Sequence, residues 1–276
     1  VTVLDVGHGS ATHIMLPQGK SILIDGGGPV SAHFNVGERL IAPFLWQQRI
    51  SRIDGIIITH PHADHYNGLF FIIKRFRPKT IWINGQPGII PGYDQLLQLA
   101  RQLGAKVKIC RSGTVLFQSG NATISCIANP LQGDITSASN TRDNHPVKPA
   151  SYNDASLVLK LVHGNAAKAK GVSFLFPGDI SREEESEVLA ADRNELDADI
   201  LLSPHHGSGS SDNWDFIEAV SPDYIVISTG KSTDAQFPTV NVKKYCQRFG
   251  TTLLTTAQDG TISFTISGAN LTVTTL

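Results

Sequence analysis

Residues 58–69 read ITHPHADHYNGL, and the fold turns on why such a stretch follows a buried strand. His60, His62, Asp64 and His65 crowd together directly behind the apolar run GIIIT. If the loop stays extended, the alternate residues His60, His62 and Asp64 project together. His65 adds a further nitrogen as the chain turns into a helix. Buried without a metal, such a cluster is a desolvation liability. Imidazole and carboxylate suit zinc, manganese or iron. Four ligands so close in sequence rarely wrap a single ion, so the pattern predicts two adjacent ions.

Two ions need more ligands than this loop carries. FLFPGD brings Asp179 to the end of another apolar strand, and DILLSPHHGS brings His205 and His206 in the same way. Asp25, in ILIDGGG, is a fourth strand-end acid, which ties down the neighbouring ligand loop or merely forms a turn. His8, His13, His33, His145 and His163 lack ligand spacing and are read as having no part in the site.

The rest of the chain frames this constellation. SILIDGGG, IDGIIIT, KTIWIN, SLVLKLV, VSFLFPGD, ADILLS and DYIVIS read as strands. Residues 36–48, DHYNGLFFIIKRF, YDQLLQLARQLG, SREEESEVLAA with Ser181 as N-cap, DNWDFIEAV and VNVKKYCQRFG read as helices. TVLFQ and ATISCIA form a hairpin, and residues 129–153 form a long polar loop of the kind that serves as a lid or excursion. The two halves share one plan, strands leading into a His-bearing loop, which predicts an αββα arrangement with a site between the halves.

Composition excludes some functions. The 276 residues carry 23 Lys+Arg against 24 Asp+Glu, a formal net charge of -1, so no strongly basic nucleic-acid face is announced. Charged residues at 17% and apolar residues at 41% are ordinary globular values. Cys110, Cys126 and Cys246 have no CxxC spacing and are read as core thiols rather than zinc ligands. No apolar run reaches the roughly 20 residues of a membrane span, and no signal peptide is visible.

With these residues assembled, the chain resembles a metallo-β-lactamase-fold hydrolase. The superfamily's HxHxDH stands as HPHADH, its later Asp as Asp179 in GD, and its last His in HHGS. LDVGHGSATHIMLPQGKSILIDGGG, NDASLVLKL, LFPGDI, LLSPHHGS, PDYIVISTG and TAQDGTISF are similar in turn to the C-terminal domain of ComEC-type DNA-uptake proteins of competent bacteria. The likeness covers nearly the whole chain. It implies an α/β (α+β) four-layer αββα sandwich over residues 1–276, a single domain cut from a larger protein of the inner (cell) membrane. The domain would lie on the extracytoplasmic side. Its partners would be DNA, the channel portion of the parent and other components of natural transformation (competence).

The resemblance also implies site roles. His60 and His62 would hold one Mn2+ or Zn2+, Asp64 and His65 the other, and Asp179 would bridge. One of His205 and His206 would complete the second ion, His206 being favoured, with His205 nearer the substrate. The superfamily's further His before the bridging Asp is missing from SYNDASLVL, which leaves the first ion two imidazoles and the bridge. Asp25, Asn153, Ser156 and Ser208 are placed beside the ligands or the substrate. Two departures touch substrate-side positions: DVGHGSA, with His8 and Ser10, replaces DVGQGDA, and Phe237 precedes Pro238 where a His is usual.

The expected chemistry is a nuclease that hydrolyses DNA phosphodiesters, degrading the strand not imported, by a bridging hydroxide between two metal ions. Asp64 and Asp179 would be catalytic, and His205 would protonate the leaving oxygen. Alternatives are hydrolysis of small phosphodiesters, lactones or β-lactams at the same centre, and a DNA-guiding or structural module with little turnover. Arg142, Lys148, Lys160, Lys168, Lys170, Lys231, Lys243 and Lys244 are available to phosphates but read chiefly as ordinary surface charge.

Overall fold

In the computed structural model of the chain the described residues are 1–28, 34–88, 90–132, 151–164, 171–211, 213–231, 238–268 and 270–276. Most of the polar loop lies outside them, as do His33, Arg142, His145, Lys148, Lys168, Lys170 and Phe237.

The chain first lays down β1 (Thr2–Val3), β2 (Thr12–Met15), β3 (Ser21–Ile24), β4 (Gly55–Ile57), β5 (Thr80–Ile83) and β6 (Lys106–Ile109). Helices α1 (Ala42–Gln47, continuing a π-helical turn over Gly37–Ile41), α2 (Ala63–Tyr66), α3 (Leu69–Phe76) and α4 (Pro91–Gln102) connect them. It then builds a second sheet from β7 (Thr114–Ser119), β8 (Ala122–Ala128), β9 (Val158–His163), β10 (Val172–Phe176), β11 (Ile200–Leu202), β12 (Tyr224–Ile227) and β13 (Thr252–Thr255). Here α5 (Arg182–Asp192), α6 (Trp214–Val220), α7 (Val240–Phe249) and the short α8 (Thr256–Asp259) intervene. It returns to the first sheet with β14 (Ile262–Ser267) and β15 (Asn270–Thr275). The first sheet has eight strands in the order β15-β14-β1-β2-β3-β4-β5-β6; the second has seven, β13-β12-β11-β10-β9-β8-β7.

The continuous apolar runs are explained by burial on both faces. Ile56 faces a core under α1, α3 and α4 with Leu45, Ile72 and Leu96, whereas Ile57 faces the other sheet. In β10, Phe174 and Phe176 enter the inter-sheet core, while Leu175 joins Phe216, Val220 and Tyr245 beneath the helices of the second half. Each such side chain contributes roughly 1.5–3 kcal/mol relative to an exposed one. Three apolar layers separate four structural layers, and the αββα sandwich expected from sequence is the fold observed.

Strands β3 to β6 run parallel, as do β10 to β13. Both sets deliver their C-terminal ends, and the loops behind them, to one rim, the usual place for a site in parallel sheets. Details differ from expectation. The helix behind the histidines is broken at Asn67–Gly68 into α2 and α3, and α2 begins inside the motif, at Ala63. A side chain at Gly68 would collide with the Gly26 carbonyl, so the loop after β3 passes against the break. Ser181 occupies the N-cap position of α5, but its hydroxyl caps nothing; its backbone N–H is held by Asp154 Oδ1 at 3.0 Å.

Candidate metal centre

The site is assembled from five strand ends. β3 runs into Asp25, whose backbone adopts a left-handed φ of 58°, a conformation an acidic residue tolerates better than most. Its carboxylate is enclosed: Oδ1 accepts the Thr59 N–H at 2.8 Å, and Oδ2 accepts the Thr59 hydroxyl and His65 Nδ1–H, each at 2.8 Å. The Thr59 hydroxyl hydrogen is therefore committed to Asp25, and Thr59 Oγ1, 3.1 Å from His60 Nδ1, is left to accept. From the second sheet, Asp179 follows β10, its N–H bound by Ser156 Oγ at 3.0 Å. His206 follows β11 and places Nδ1 3.0 Å from the Ser228 carbonyl at the end of β12.

One pattern emerges. His60, His65 and His206 each spend Nδ1–H on a hydroxyl, a carboxylate or a carbonyl, and each presents Nε2 inward. That is how protein imidazoles are held for metal ligation. His65 Nε2 lies 3.2 Å from Asp179 Oδ2 and 3.9 Å from Asp64 Oδ2. His206 Nε2 lies 3.4 Å from each of the same two oxygens. Donors each about 2.1 Å from one tetrahedral ion stand about 3.4 Å apart, so Asp64, His65, Asp179 and His206 have the spacing of a single coordination shell. Their donor atoms all lie within 4.8 Å of one another. His60 Nε2 and His206 Nε2 are buried and make no hydrogen bond, an arrangement costly for a polar atom unless a ligand meets it. The residues fit a divalent cation.

Electrostatics agree. Burial disfavours charge on His65 and His206, but the carboxylates outweigh it: Asp179 and Asp25 hold His65 well above the usual histidine range, and Asp179 and Asp64 raise His206 to about 9. Burial would likewise neutralise Asp64 and Asp179, yet the facing imidazoles hold both well below the usual carboxylate range. His60 is pushed well below the usual range by burial and then by His65, and stays neutral with its lone pair free.

The motif residues are thus divided. Asp64 and His65 join Asp179 and His206 in the tetrad. His60 stands 3.9 Å from Asp179 Oδ2. His62 is half-buried, its ring edge-on to His60 at 4.6 Å and facing Tyr152 at 6.2 Å. His205 and His206 separate because both adopt left-handed backbone, φ 47° and 58°, in the turn before Gly207; non-glycine residues held there cluster at functional sites. His206 turns into the tetrad, while His205 is held between Asn153 Nδ2 at 3.3 Å and Ser210 Oγ at 2.9 Å. Ser208 Oγ lies 3.0 Å from Ser210 Oγ, on the His205 side of the turn.

His8 is the residue that sequence reading passed over. Its Nε2 lies 3.5 Å from Asp64 Oδ2 and its ring 5.2 Å from that of His206. Its loop is fastened at Gly9, where a side chain would collide with the Asp64 carbonyl and whose own carbonyl accepts from Ser228 Oγ at 2.9 Å. The signal was present as the departure DVGHGSA. His13 and His163, by contrast, lie on β2 and β9 within the sheets.

Asp25 sets both the tautomer and the direction of His65. Asp25→Asn keeps the shape and weakens that grip, and is expected to lower metal affinity about 10–100-fold. Competition against a chromogenic chelator measures this; an unchanged affinity would remove Asp25 from the site.

The metallo-beta-lactamase superfamily model matches residues 5–139. The chain is 30% identical over 275 residues to "ComE operon protein 3" of Bacillus subtilis, covering 96% of this chain and 32% of that protein. It is 26% identical over 264 residues to "Competence protein ComA" of Neisseria gonorrhoeae, covering 96% and 32%. It therefore spans about a third of the length of these relatives. Among solved structures, Zn(2+)-bound PqqB from Methylobacterium extorquens shares the fold with a TM-score of 0.53 at 11% identity, covering 95% of this chain and 100% of that one. Layer order, strand-end ligands and these likenesses lead to one conclusion: the chain is a metallo-β-lactamase-fold domain related at low identity to bacterial competence proteins.

Proposed function

We propose that the chain is a metal-dependent hydrolase of small phosphodiesters and related esters, lactones or β-lactams. The carrying observation is the set of imidazoles that present Nε2 to two ionised carboxylates, Asp64 and Asp179. Asp64, His65, Asp179 and His206 would hold a divalent cation, Mn2+ or Zn2+, which would supply water activation and positive charge to offset negative charge on the reacting oxygens. The chain's residues do the rest. Asp179 and Asp64 supply the ligating charge, Asp25 and the Ser228 carbonyl fix His65 and His206, and Ser156 sets the approach of Asp179.

A second reading narrows the substrate to DNA, and what supports it is similarity to two competence proteins along 96% of the chain. On that reading the domain degrades DNA on the extracytoplasmic side of a membrane-bound parent, beside its channel portion and other uptake components. No helix among the described residues is long and apolar enough to cross a membrane.

One assay tests both readings. Bis(p-nitrophenyl) phosphate, a lactone, a chromogenic β-lactam and end-labelled single- and double-stranded DNA are incubated with Mn2+, with Zn2+ and with chelator, beside Asp64→Ala. Turnover of the phosphodiester that needs metal and vanishes in the variant is the expected result. DNA cleavage under the same control supports the narrower reading. A folded, metal-loaded protein that turns over none of these would overturn both and favour a DNA-guiding role.

A further inference from the structure

The parallel strands that carry ligands to one rim begin together at the opposite end, and there the first sheet is basic. Arg49 and Arg52 precede β4, Arg75, Arg77 and Lys79 precede β5, and Lys106 opens β6; all are exposed. Backbone bonds run across these strand starts. Asp54 N–H reaches the Ser21 carbonyl at 2.8 Å, Lys79 N–H the Asp54 carbonyl at 3.3 Å, and Lys106 N–H the Lys79 carbonyl at 2.9 Å. The cations therefore share one surface. Of them only Lys79 has an ion-pair partner among the described residues, Asp54 at 2.8 Å.

In a chain of net charge -1 this is a polarised distribution. At the same end of the second sheet Asp199 and Asp223 stand before β11 and β12. Gathered like charges destabilise a compact state and attract an opposite field. Cations at helix ends have an ordinary use, complementing the helix dipole, and Arg75 in the last turn of α3 meets it. That use does not reach Arg52 and Lys106, which belong to strand entries. Arg49 and Arg77 also hold left-handed backbone, φ 59° and 48°, behind α1 and α3, where glycine is usual.

The same end carries apolar surface. Trp46 is 43% exposed, with the Arg75 guanidinium 5.6 Å from its ring centre. A cleft of about 610 Å3, lined by Met15, Leu16, Leu161 and Phe264, reaches α1 at Phe44 and Gln48, next to Arg49. Met15 is itself 46% exposed.

We propose that this end is a docking surface for an anionic phospholipid bilayer, with Arg49, Arg52, Arg75 and Arg77 meeting headgroup phosphates and Trp46 and Met15 entering the interface. Charge alone would suit a nucleic acid equally. An exposed indole and an apolar cleft beside the cations suit an amphiphile. Position agrees. A strand held here lies at the far end of the sandwich from the metal centre, whereas a bilayer held here leaves the metal rim open to solvent. The acidic end of the second sheet confines the contact to the first-sheet half. The proposal does not depend on the hydrolase reading.

Flotation with vesicles tests it. Phosphatidylcholine vesicles with and without phosphatidylglycerol are mixed with the protein at low and high salt, and folding is checked by circular dichroism. The wild type is expected to float only with the anionic vesicles and to be released by salt. Tryptophan emission should shift to the blue on binding, and Trp46→Phe, which keeps Trp82 and Trp214, should lose that shift. Arg49→Glu with Arg77→Glu should weaken vesicle binding at least about tenfold. Lys243→Glu with Lys244→Glu makes the same charge change on exposed α7 and should leave binding intact. Should the first pair fail to fold, Arg52→Glu with Lys106→Glu carries the test. No flotation on anionic vesicles at low salt, or an equal loss in the α7 pair, would overturn the proposal. So would an end-labelled single strand that displaces the vesicles and is itself lost in the arginine variants, which would make this a nucleic-acid surface.

Discussion

Asp179→Ala is expected to reduce metal-dependent phosphodiester turnover by about three orders of magnitude. Asp179 is buried, and its Oδ2 lies within 3.9 Å of His60, His65 and His206 at once. Losing it removes a ligand and also the carboxylate that opposes two imidazoles. If metal charge stabilisation is worth several kcal/mol, the loss of about 4 kcal/mol corresponds to about a thousandfold. The metal-free variant should report the same change independently, because His206, now raised to about 9, should titrate lower once Asp179 is gone. Imidazole resonances followed by NMR across pH check this. A variant that kept full turnover, or a His206 that did not move, would displace Asp179 from the centre of the site.

Metal uptake should be steeply pH-dependent. In the metal-free protein at pH 7, His65 and His206 are both protonated, since their carboxylate neighbours raise them, His206 to about 9. A cation takes the Nε2 lone pairs and must expel those protons. Up to two protons leave per ion, so affinity should rise by up to about a hundredfold per pH unit between roughly 6 and 9. Calorimetry in buffers of different ionisation enthalpy counts the protons, and none released at pH 7 would refute the charge assignment. The fold itself follows the opposite sign on the alkaline side. The raised His206 gives stability that is complete below about 6.5 and is lost as pH passes about 9, and His65, raised in the same direction by Asp179 and Asp25, adds to it. The depressed Asp64 and Asp179 give stability that is present above about 3.9 and is lost as pH falls further.

The strand ends were legible because burial on two faces writes itself as uninterrupted apolar sequence, as in GIII and FLF, and the polar residue that ends such a run must be there for a reason. What escaped had no such signature. β15, Asn270–Thr275, is a largely exposed edge strand whose residues show no long apolar run. His206 is favoured over His205 from sequence, but the turn that separates them rests on two consecutive left-handed residues, a backbone state that side-chain identity does not announce. His8 reaches the site through a long-range approach fixed by Gly9 against Asp64.

The tetrad draws Asp64 and His65 from the first sheet's connections and Asp179 and His206 from the second's, and His65 and Asp179 are 114 positions apart. A ribosome makes the first pair long before the second. During that interval the emerging chain carries half a coordination shell, with His65 held by Asp25 and nothing opposite. Long-range contacts of this kind close late in folding. The full tetrad is thus assembled only after His206 has been made, and a truncated or half-folded product carries half of it.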